Sequence, residues 1–437
     1  MKKIHHSPHT TFALDYCLPQ RYNVFVAGLA RGGIFVPRII LAFNGDFESR
    51  LALYWLAHDR GYEVVTLSIN LGQEMYLEPV GELALDLGAA AAQVLDRREM
   101  FVRDFALPVL QANAVYQTNC FLGSALARYV IAQELVRLAR EEGCDVVAHS
   151  AASKGNDQVR METAIAAQNP KLKVLAPVRE WNLKNPGDKL KYARKRNIPI
   201  DEPVNERFKV DRNLWGVSLY VSDLADAWQE PPAEAYVLTK AAEQTPNEPC
   251  MLTIGFEAGT PASLNGQALE LLPLVRELNR LGGEHGVGRS DVVEDRLFGI
   301  KSREFYEAPT PTILWMAHRD LQSLVQSRET IQLRELLGRR YAELVYMGLW
   351  FHDLRQALQG FFNETQKHVS GEVRVKLYKG ACSIQGRRSP HSLYDSRLAN
   401  QSNLELFENQ WAQGFTSLWT LPTRVAARLH PTETSGN

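Results

Sequence analysis

The chain has few cysteines and almost no net charge, and both shortages exclude classes of protein. Only 5 of its 437 residues are cysteine. They are widely spaced and lack a Cys-x-x-Cys pair, which argues against a disulfide scaffold or a zinc site and predicts reduced thiols in a cytoplasmic protein. The 49 Lys and Arg residues balance 50 Asp and Glu residues, so the net charge is −1. With no global basic field to collect nucleic acid or an anionic membrane, we expect small-molecule partners.

Long apolar runs are also missing. The most apolar window, residues 23–43, is interrupted by Arg31 and Arg38. A membrane-spanning helix needs roughly 18 consecutive apolar residues, so none is predicted. The start of the chain resembles a signal peptide, but its apolar stretch at residues 12–18 is too short and contains Asp15.

The composition that remains is that of a globular protein, with 45% hydrophobic and 23% charged residues. From Arg38 onward, short apolar strands alternate with amphipathic helices, which predicts an α/β fold with a doubly wound parallel sheet. The predicted strands are residues 39–43, 63–69, 93–95 and 144–148. Because ligands of such sheets bind beyond the carboxyl ends of the strands, the loops after Phe43 and Ala148 are the predicted binding loops.

The pattern changes after about Arg196, where antiparallel signals predict an α+β second half. A hairpin is expected around residues 257–260. Near the N-terminus, residues 22–36 hold another hairpin pattern around Gly32 and Gly33, which would extend the sheet or form an oligomer contact.

Residues 44–50 join the first predicted strand to a helix, where free N–H groups and the helix dipole favour anions. The candidate nucleotide-binding residues here are Asn44, Gly45, Ser49 and Arg50. Asp46 adds a carboxylate where a phosphate would approach and a Cβ that disfavours positive φ, whereas Arg50 would offset the charge. The alternative is that Asn44 or Asp46 caps the helix.

An amide, a carboxylate and a guanidinium follow one another closely after Ala148, at Asn156, Asp157 and Arg160. Asp157 and Arg160 are three residues apart and share a helix face. They are candidate substrate-binding and catalytic residues. The alternative is a surface ion pair that contributes little to stability.

Glu294 and Tyr306 lie in a polar stretch of the second half that is suited to a zwitterion. A glutamate would bind the ammonium and a tyrosine or an arginine the carboxylate, and the alternative is a solvated loop and strand. Cys120 has no activating neighbour in the sequence, so we expect an inert thiol.

The residues from Arg38 to about Leu398 resemble the argininosuccinate synthase family. The resemblance is carried by Asn70-Leu71-Gly72-Gln73 and Lys154-Gly155-Asn156-Asp157-Gln158-Val159-Arg160, and by residues 101–105, 122–128, 285–289, 299–303, 306–309 and 342–346. It implies an N-type ATP pyrophosphatase domain, a synthetase domain and a C-terminal arm used in a homotetramer. The implied divisions are residues 1–37 (extension), 38–196 (nucleotide domain), 197–398 (synthetase domain) and 399–437 (arm and tail).

The resemblance also implies a reaction: ATP with Mg²⁺ activates the ureido oxygen of citrulline, and the amine of aspartate displaces AMP. By position, Asn156 would contact both amino acids and Asp157 the ammonium of aspartate. Gly155 would contact the nucleotide. The implied acceptor-binding residues are Cys120, Ser124, Arg160, Lys209, Ser218, Glu294 and Tyr306.

Several positions depart from the family pattern. The pyrophosphate loop Ser-Gly-Gly-x-Asp-[Ser/Thr]-[Ser/Thr] is Asn44-Gly45-Asp46-Phe47-Glu48-Ser49-Arg50 here. Cys120 replaces a tyrosine, Ala152 a threonine and Lys209 a serine. If each lost hydrogen bond costs roughly 1–3 kcal/mol, several together alter rate or affinity by orders of magnitude.

Two hypotheses follow from these departures. The first is an ATP-dependent carbon–nitrogen ligase, specialised for an acceptor other than citrulline, in which Arg50 substitutes for lost phosphate donors. The second is a homologue that does not use ATP, or is not a catalyst, and retains an amino-acid-binding pocket.

Overall fold

The computed structural model of the protein describes residues 22–26, 36–73, 77–117, 119–151, 155–200, 208–221, 226–400 and 408–430. A six-stranded sheet occupies the first half and has the order β1-β4-β3-β2-β5-β6, with β2 to β6 parallel. Its strands are β1 (Tyr22–Val26), β2 (Arg38–Ala42), β3 (Glu63–Asn70), β4 (Ala91–Asp96), β5 (Val146–Ala148) and β6 (Lys173–Leu175). The strand order reverses between the neighbouring strands β2 and β5, so the two predicted binding loops leave the sheet side by side.

Two antiparallel sheets form the second half, which confirms the predicted change of fold type. One has the order β11-β10-β9-β14-β15 and the other β12-β13-β8-β7. The strands are β7 (Phe208–Asn213), β8 (Gly216–Val221), β9 (Cys250–Glu257), β10 (Thr260–Leu264), β11 (Gln267–Ala268), β12 (Arg289–Asp295), β13 (Lys301–Glu307), β14 (Gly371–Tyr378) and β15 (Ala381–Arg388). The predicted hairpin is confirmed, since β9 and β10 join through Ala258 and Gly259, both at positive φ.

Helices cover the parallel sheet on both faces and pack against the antiparallel sheets. They are α1 (Phe47–Tyr54), α2 (Leu77–Asp86), α3 (Arg98–Met100), α4 (Leu107–Gln111), α5 (Gly123–Glu141), α6 (Asn156–Gln168), α7 (Pro177–Glu180), α8 (Pro186–Arg196), α9 (Leu271–Glu284), α10 (Pro309–Val325), α11 (Arg328–Tyr346), α12 (Asp353–Gln366), α13 (Ser396–Ala399), α14 (Asn409–Trp419) and α15 (Leu421–Leu429). Among the described residues, no helix combines the length and apolarity needed to cross a membrane.

The central strand β2 is buried on both faces because its residues alternate in direction. Ile39 and Leu41 join the same apolar cluster as Leu51 of α1, whereas Ile40 joins the opposite cluster with Leu126 of α5. All of these side chains are fully buried. The doubly wound arrangement is therefore confirmed.

Strand β1 lies at the edge of the sheet and pairs antiparallel with β4, from Tyr22 opposite Leu95 to Val26 opposite Ala91. The N-terminal residues thus extend the sheet, which was one of the two predicted roles. The rest of the predicted hairpin around Gly32 and Gly33 lies outside the described residues.

A fully buried histidine on α10 predicts acid sensitivity. Burial, with the charge of Arg334, lowers the pKa of His318 to about 3, while an unfolded chain protonates near 6.5. Between pH 6.5 and pH 3 the unfolded state therefore carries a proton on this histidine that the folded state lacks. The free energy of unfolding should fall by up to about 1.4 kcal/mol per pH unit as the pH drops through this range. Thermal unfolding followed from pH 7 to pH 4 should show a steeper loss in the wild type than in His318→Gln, and equal slopes would contradict this role.

Candidate active site

A cavity of about 460 Å³ lies between the carboxyl end of the parallel sheet and the sheet that contains β7, β8, β12 and β13. The N-terminal turns of α5 and α6 form one wall, because α6 follows the carboxyl end of β5 and α5 ends just before β5 begins. The predicted site residues that line this cavity are Cys120, Ser124, Gly155, Asn156, Asp157, Arg160, Ser218, Glu294 and Tyr306. Residues from distant parts of the chain thus share one space.

The carboxylate of Glu294 is the centre of a buried hydrogen-bond cluster. It accepts hydrogen bonds from the hydroxyl of Tyr306 at 2.7 Å and from that of Tyr346 at 2.6 Å. The amide of Asn156 donates to the Tyr346 hydroxyl at 2.9 Å. Burial, with the charge of Glu294, raises the pKa of both tyrosines, so their hydroxyls remain protonated donors. A carboxylate fixed by two phenols is suited to an ammonium ligand.

Arg160 and Asp157 form the ion pair expected from their spacing, with 3.2 Å between Nη1 and Oδ1. Arg160 is only 5% exposed, its Nε donates to the carbonyl of Tyr346, and its guanidinium lies over the Tyr346 ring. The surface-pair alternative is therefore wrong. Burial opposes ionisation of Asp157, yet the guanidinium groups of Arg128 and Arg160 outweigh it and lower the pKa of this carboxyl.

Cys120 lines the cavity beside Tyr306 and Glu294. Burial, with the charge of Glu294, raises the pKa of the Cys120 thiol to about 12. The thiol is thus neutral at physiological pH, as the expectation of an inert cysteine requires. Lys209 lies on β7 opposite Tyr220, and only this strand position is described.

The loop after β2 does not present a free anion site. Asp46 is the N-cap of α1: its Oδ1 accepts from the N–H of Ser49 at 2.7 Å, and Asn44 Nδ2 donates to its Oδ2 at 2.8 Å. The capping alternative is therefore confirmed. Asp46 has φ of −70° and Gly45 carries the positive φ of +76°, so the expected strain at the Asp46 Cβ is absent.

Arg50 has a different role from the one predicted. Its side chain is buried under the loop, where Nε donates to the carbonyl of Gly45 at 2.7 Å and Nη1 to that of Pro199 at 3.1 Å. The expectation that Arg50 replaces lost phosphate donors is wrong, because these bonds hold the guanidinium against backbone carbonyls. Arg50 instead fixes the shape of the loop.

The sequence reasoning assigned no role to three residues that the structure places in the cavity. Arg128 on α5 pairs with Asp157 at 3.0 Å and with Asp211 on β7 at 2.6 Å. Tyr346 at the end of α11 contacts Asn156, 190 positions earlier. Arg128 and Tyr346 lie in segments that carry the family resemblance, whereas nothing in the local sequence marks Asp211. Ala152, another departure from the family pattern, lies outside the described residues.

Comparison with known proteins agrees with this architecture. Residues 38–199 match the family described as "Arginosuccinate synthase N-terminal HUP domain", and residues 208–426 match "Arginosuccinate synthase C-terminal domain". The chain is 46% identical over 389 residues to an argininosuccinate synthase of Anoxybacillus flavithermus, covering 89% of this chain and 96% of the relative. It is also 46% identical over 391 residues to that of Thermosynechococcus vestitus, covering 89% and 97%. The chain belongs to the argininosuccinate synthase family.

Proposed function

We propose that the protein is an ATP-dependent ligase that joins the amine of aspartate to a citrulline-like acceptor. The ureido oxygen of the acceptor attacks the α-phosphorus of ATP and releases pyrophosphate. The amine of aspartate then attacks the activated carbon, and the oxygen departs with AMP. The observation that carries the proposal is the convergence of Asn156, Asp157, Arg160, Ser218, Glu294 and Tyr306 on one cavity.

The charges in the cavity suit two amino acids. Glu294, with its two phenol donors, would bind the ammonium of the acceptor, while Arg160 and Ser218 would bind its carboxylate. Asp157 would bind the ammonium of aspartate, and Asn156 lies between the two groups. Fixing both reactants in this way converts a bimolecular encounter into an oriented reaction.

The acceptor is proposed to differ from citrulline where it meets Cys120. A buried neutral thiol is a weak hydrogen-bond donor, so this part of the cavity favours an apolar or small group.

The residues after β2 do not fit a nucleotide phosphate in this conformation. The N–H of Ser49, which a phosphate would use, is already bonded to the Asp46 carboxylate. A second carboxylate, that of Glu48, follows two residues after Asp46 and pairs with Lys189. We propose that ATP enters with Mg²⁺ as in the rest of the family, and this requires Asp46 to release the helix N-terminus.

The test is an acceptor screen. The protein would be incubated with Mg-ATP, aspartate and a panel of ureido, amide and carboxylate compounds that includes citrulline. We expect pyrophosphate and AMP in equal amounts, dependent on both aspartate and one acceptor, with a condensed product detected by mass spectrometry. Pyrophosphate at the level of the protein-free reaction with every acceptor would contradict the ligase.

The capped loop also favours a second candidate, a protein that binds amino acids in this cavity without using ATP. Asp46 and Glu48 repel the phosphates that the family reaction requires. Titration calorimetry separates the two candidates. Binding of Mg-ATP at micromolar concentration would exclude the second.

We further propose a homotetramer in the cytoplasm, with the C-terminal helices as the contact. Apolar residues three or four apart on α14 and α15 are exposed, including Leu418 and Trp419, which are 70% and 72% exposed. An apolar stripe of this kind is typical of a surface that another copy covers. The four described cysteines are unpaired, as expected for a reducing compartment.

Removal of residues 401–437 should therefore lower the mass of the particle in solution. Without the exposed apolar helices the contact between copies loses most of its buried area, so we expect a dimer or monomer by analytical ultracentrifugation. Removal of residues 431–437 alone is the control, and the particle should then still contain four chains. An unchanged assembly after the longer truncation would contradict this role.

A further inference from the structure

Four charged side chains form a continuous row of ion pairs along the cavity wall. Arg160 pairs with Asp157 Oδ1 at 3.2 Å, and Arg128 Nη2 lies 3.0 Å from Asp157 Oδ2. The same Nη2 lies 2.6 Å from Asp211 Oδ2. Two positive and two negative groups thus alternate, and Arg128 is shared between two carboxylates.

The row crosses from one half of the molecule to the other. Arg128 on α5 and Asp157 on α6 belong to the parallel-sheet half, whereas Asp211 lies on β7 of an antiparallel sheet. Ser124 Oγ donates to the same Asp211 oxygen at 2.6 Å, which fixes the position of that carboxylate. Asp211 therefore holds Arg128 from the wall opposite Asp157.

A ligand ammonium at Asp157 would compete directly with Arg128 for the carboxylate. The Arg128 side chain is only 18% exposed, and a guanidinium left without a counter-ion there is costly. We propose that Asp211 is a positioning residue that keeps Arg128 paired while the substrate ammonium takes its place on Asp157. This inference rests on the proposed function, in which Asp157 binds the ammonium of aspartate.

The charges around Arg128 agree with the replacement of Arg128 by a substrate ammonium at Asp157. Burial opposes its charge, but Asp157, Asp211 and, more weakly, Asp46 outweigh burial and raise the pKa of Arg128. The guanidinium is thus positive throughout, and loss of Asp211 would draw it towards Asp157. The consequence is a site that binds an amine less well.

Asp211→Asn tests this, because asparagine keeps the size and one oxygen acceptor but removes the charge. Titration calorimetry with L-aspartate, in the presence and absence of citrulline, should show at least tenfold weaker binding. If turnover is measured, KM for aspartate should rise while kcat at saturating aspartate stays within threefold. Asp291→Asn is the matched control, since Asp291 pairs with Arg303 at 2.5 Å on β12 and β13, outside the cavity lining, and should change binding less than twofold.

A double variant separates positioning from a merely structural role. In an Arg128→Gln background the guanidinium that Asp211 positions is absent, so adding Asp211→Asn should weaken aspartate binding less than twofold further. An equal loss in both backgrounds would overturn the proposal, as would binding by Asp211→Asn within twofold of the wild type. If the wild type bound no aspartate either with or without citrulline, the proposed function would be overturned, and the positioning role of Asp211 with it.

Discussion

Replacing Asp46 with serine should strengthen the binding of Mg-ATP by about 10- to 100-fold. The wild-type carboxylate occupies the N–H of Ser49 and repels an approaching phosphate, and removing an adverse charge of this kind is worth about 1.4–3 kcal/mol. Serine still caps a helix, so α1 should remain intact. Titration calorimetry of both proteins with Mg-ATP measures the change.

Asp46→Asn separates charge from capping. Asparagine caps a helix as well as aspartate does but carries no charge, so it should show most of the gain in affinity. Asp59→Asn, which removes a carboxylate from the ion pair with Arg196 outside the cavity lining, is the control and should leave ATP binding unchanged. Equal affinities in wild type, Asp46→Ser and Asp46→Asn would show that Asp46 does not restrict the nucleotide.

Replacing Glu294 with glutamine should weaken binding of the acceptor amino acid by about 10- to 100-fold. The substitution keeps the shape of the side chain and an oxygen for the Tyr306 and Tyr346 hydroxyls, but it removes the charge that pairs with an ammonium. A hydrogen bond to a charged partner contributes about 1.5–3 kcal/mol, which gives this range. Calorimetry with citrulline, or with the acceptor found by the screen, measures the effect.

Glu372→Gln provides a matched control. Glu372 pairs with Arg388 on β14 and β15 and is absent from the cavity lining. Its substitution should change acceptor binding less than twofold. If Glu294→Gln also left the affinity within twofold, the assignment of Glu294 to the ammonium would be wrong.

Much of the fold could be predicted because local patterns determine it. The apolar strands of the first half and the hairpin turn within residues 257–260 are both predictable from short segments, since burial on both faces and tight turns restrict the residue types. At the site, local pattern is informative only in part. The position of Asp46 before a helix predicts either a phosphate loop or a helix cap, and only the structure distinguishes the two.

The rest of the site depends on contacts between distant segments. Tyr346 meets Asn156 across 190 positions, and Asp211 meets Arg128 across 83. No spacing rule relates such residues, because the packing of separate sheets brings them together. Arg50 shows the same dependence: its sequence neighbours suggest a phosphate ligand, but its guanidinium is held by the carbonyl of Pro199, 149 positions later.

The most direct test of the proposed function follows the acceptor oxygen. Citrulline, or the acceptor that supports pyrophosphate release, would be labelled with oxygen-18 at its ureido or carbonyl position and converted with aspartate and Mg-ATP. Attack of that oxygen on the α-phosphorus predicts one labelled oxygen in the phosphate of each AMP formed. Condensed product accompanied by unlabelled AMP, or no AMP at all, would contradict the account.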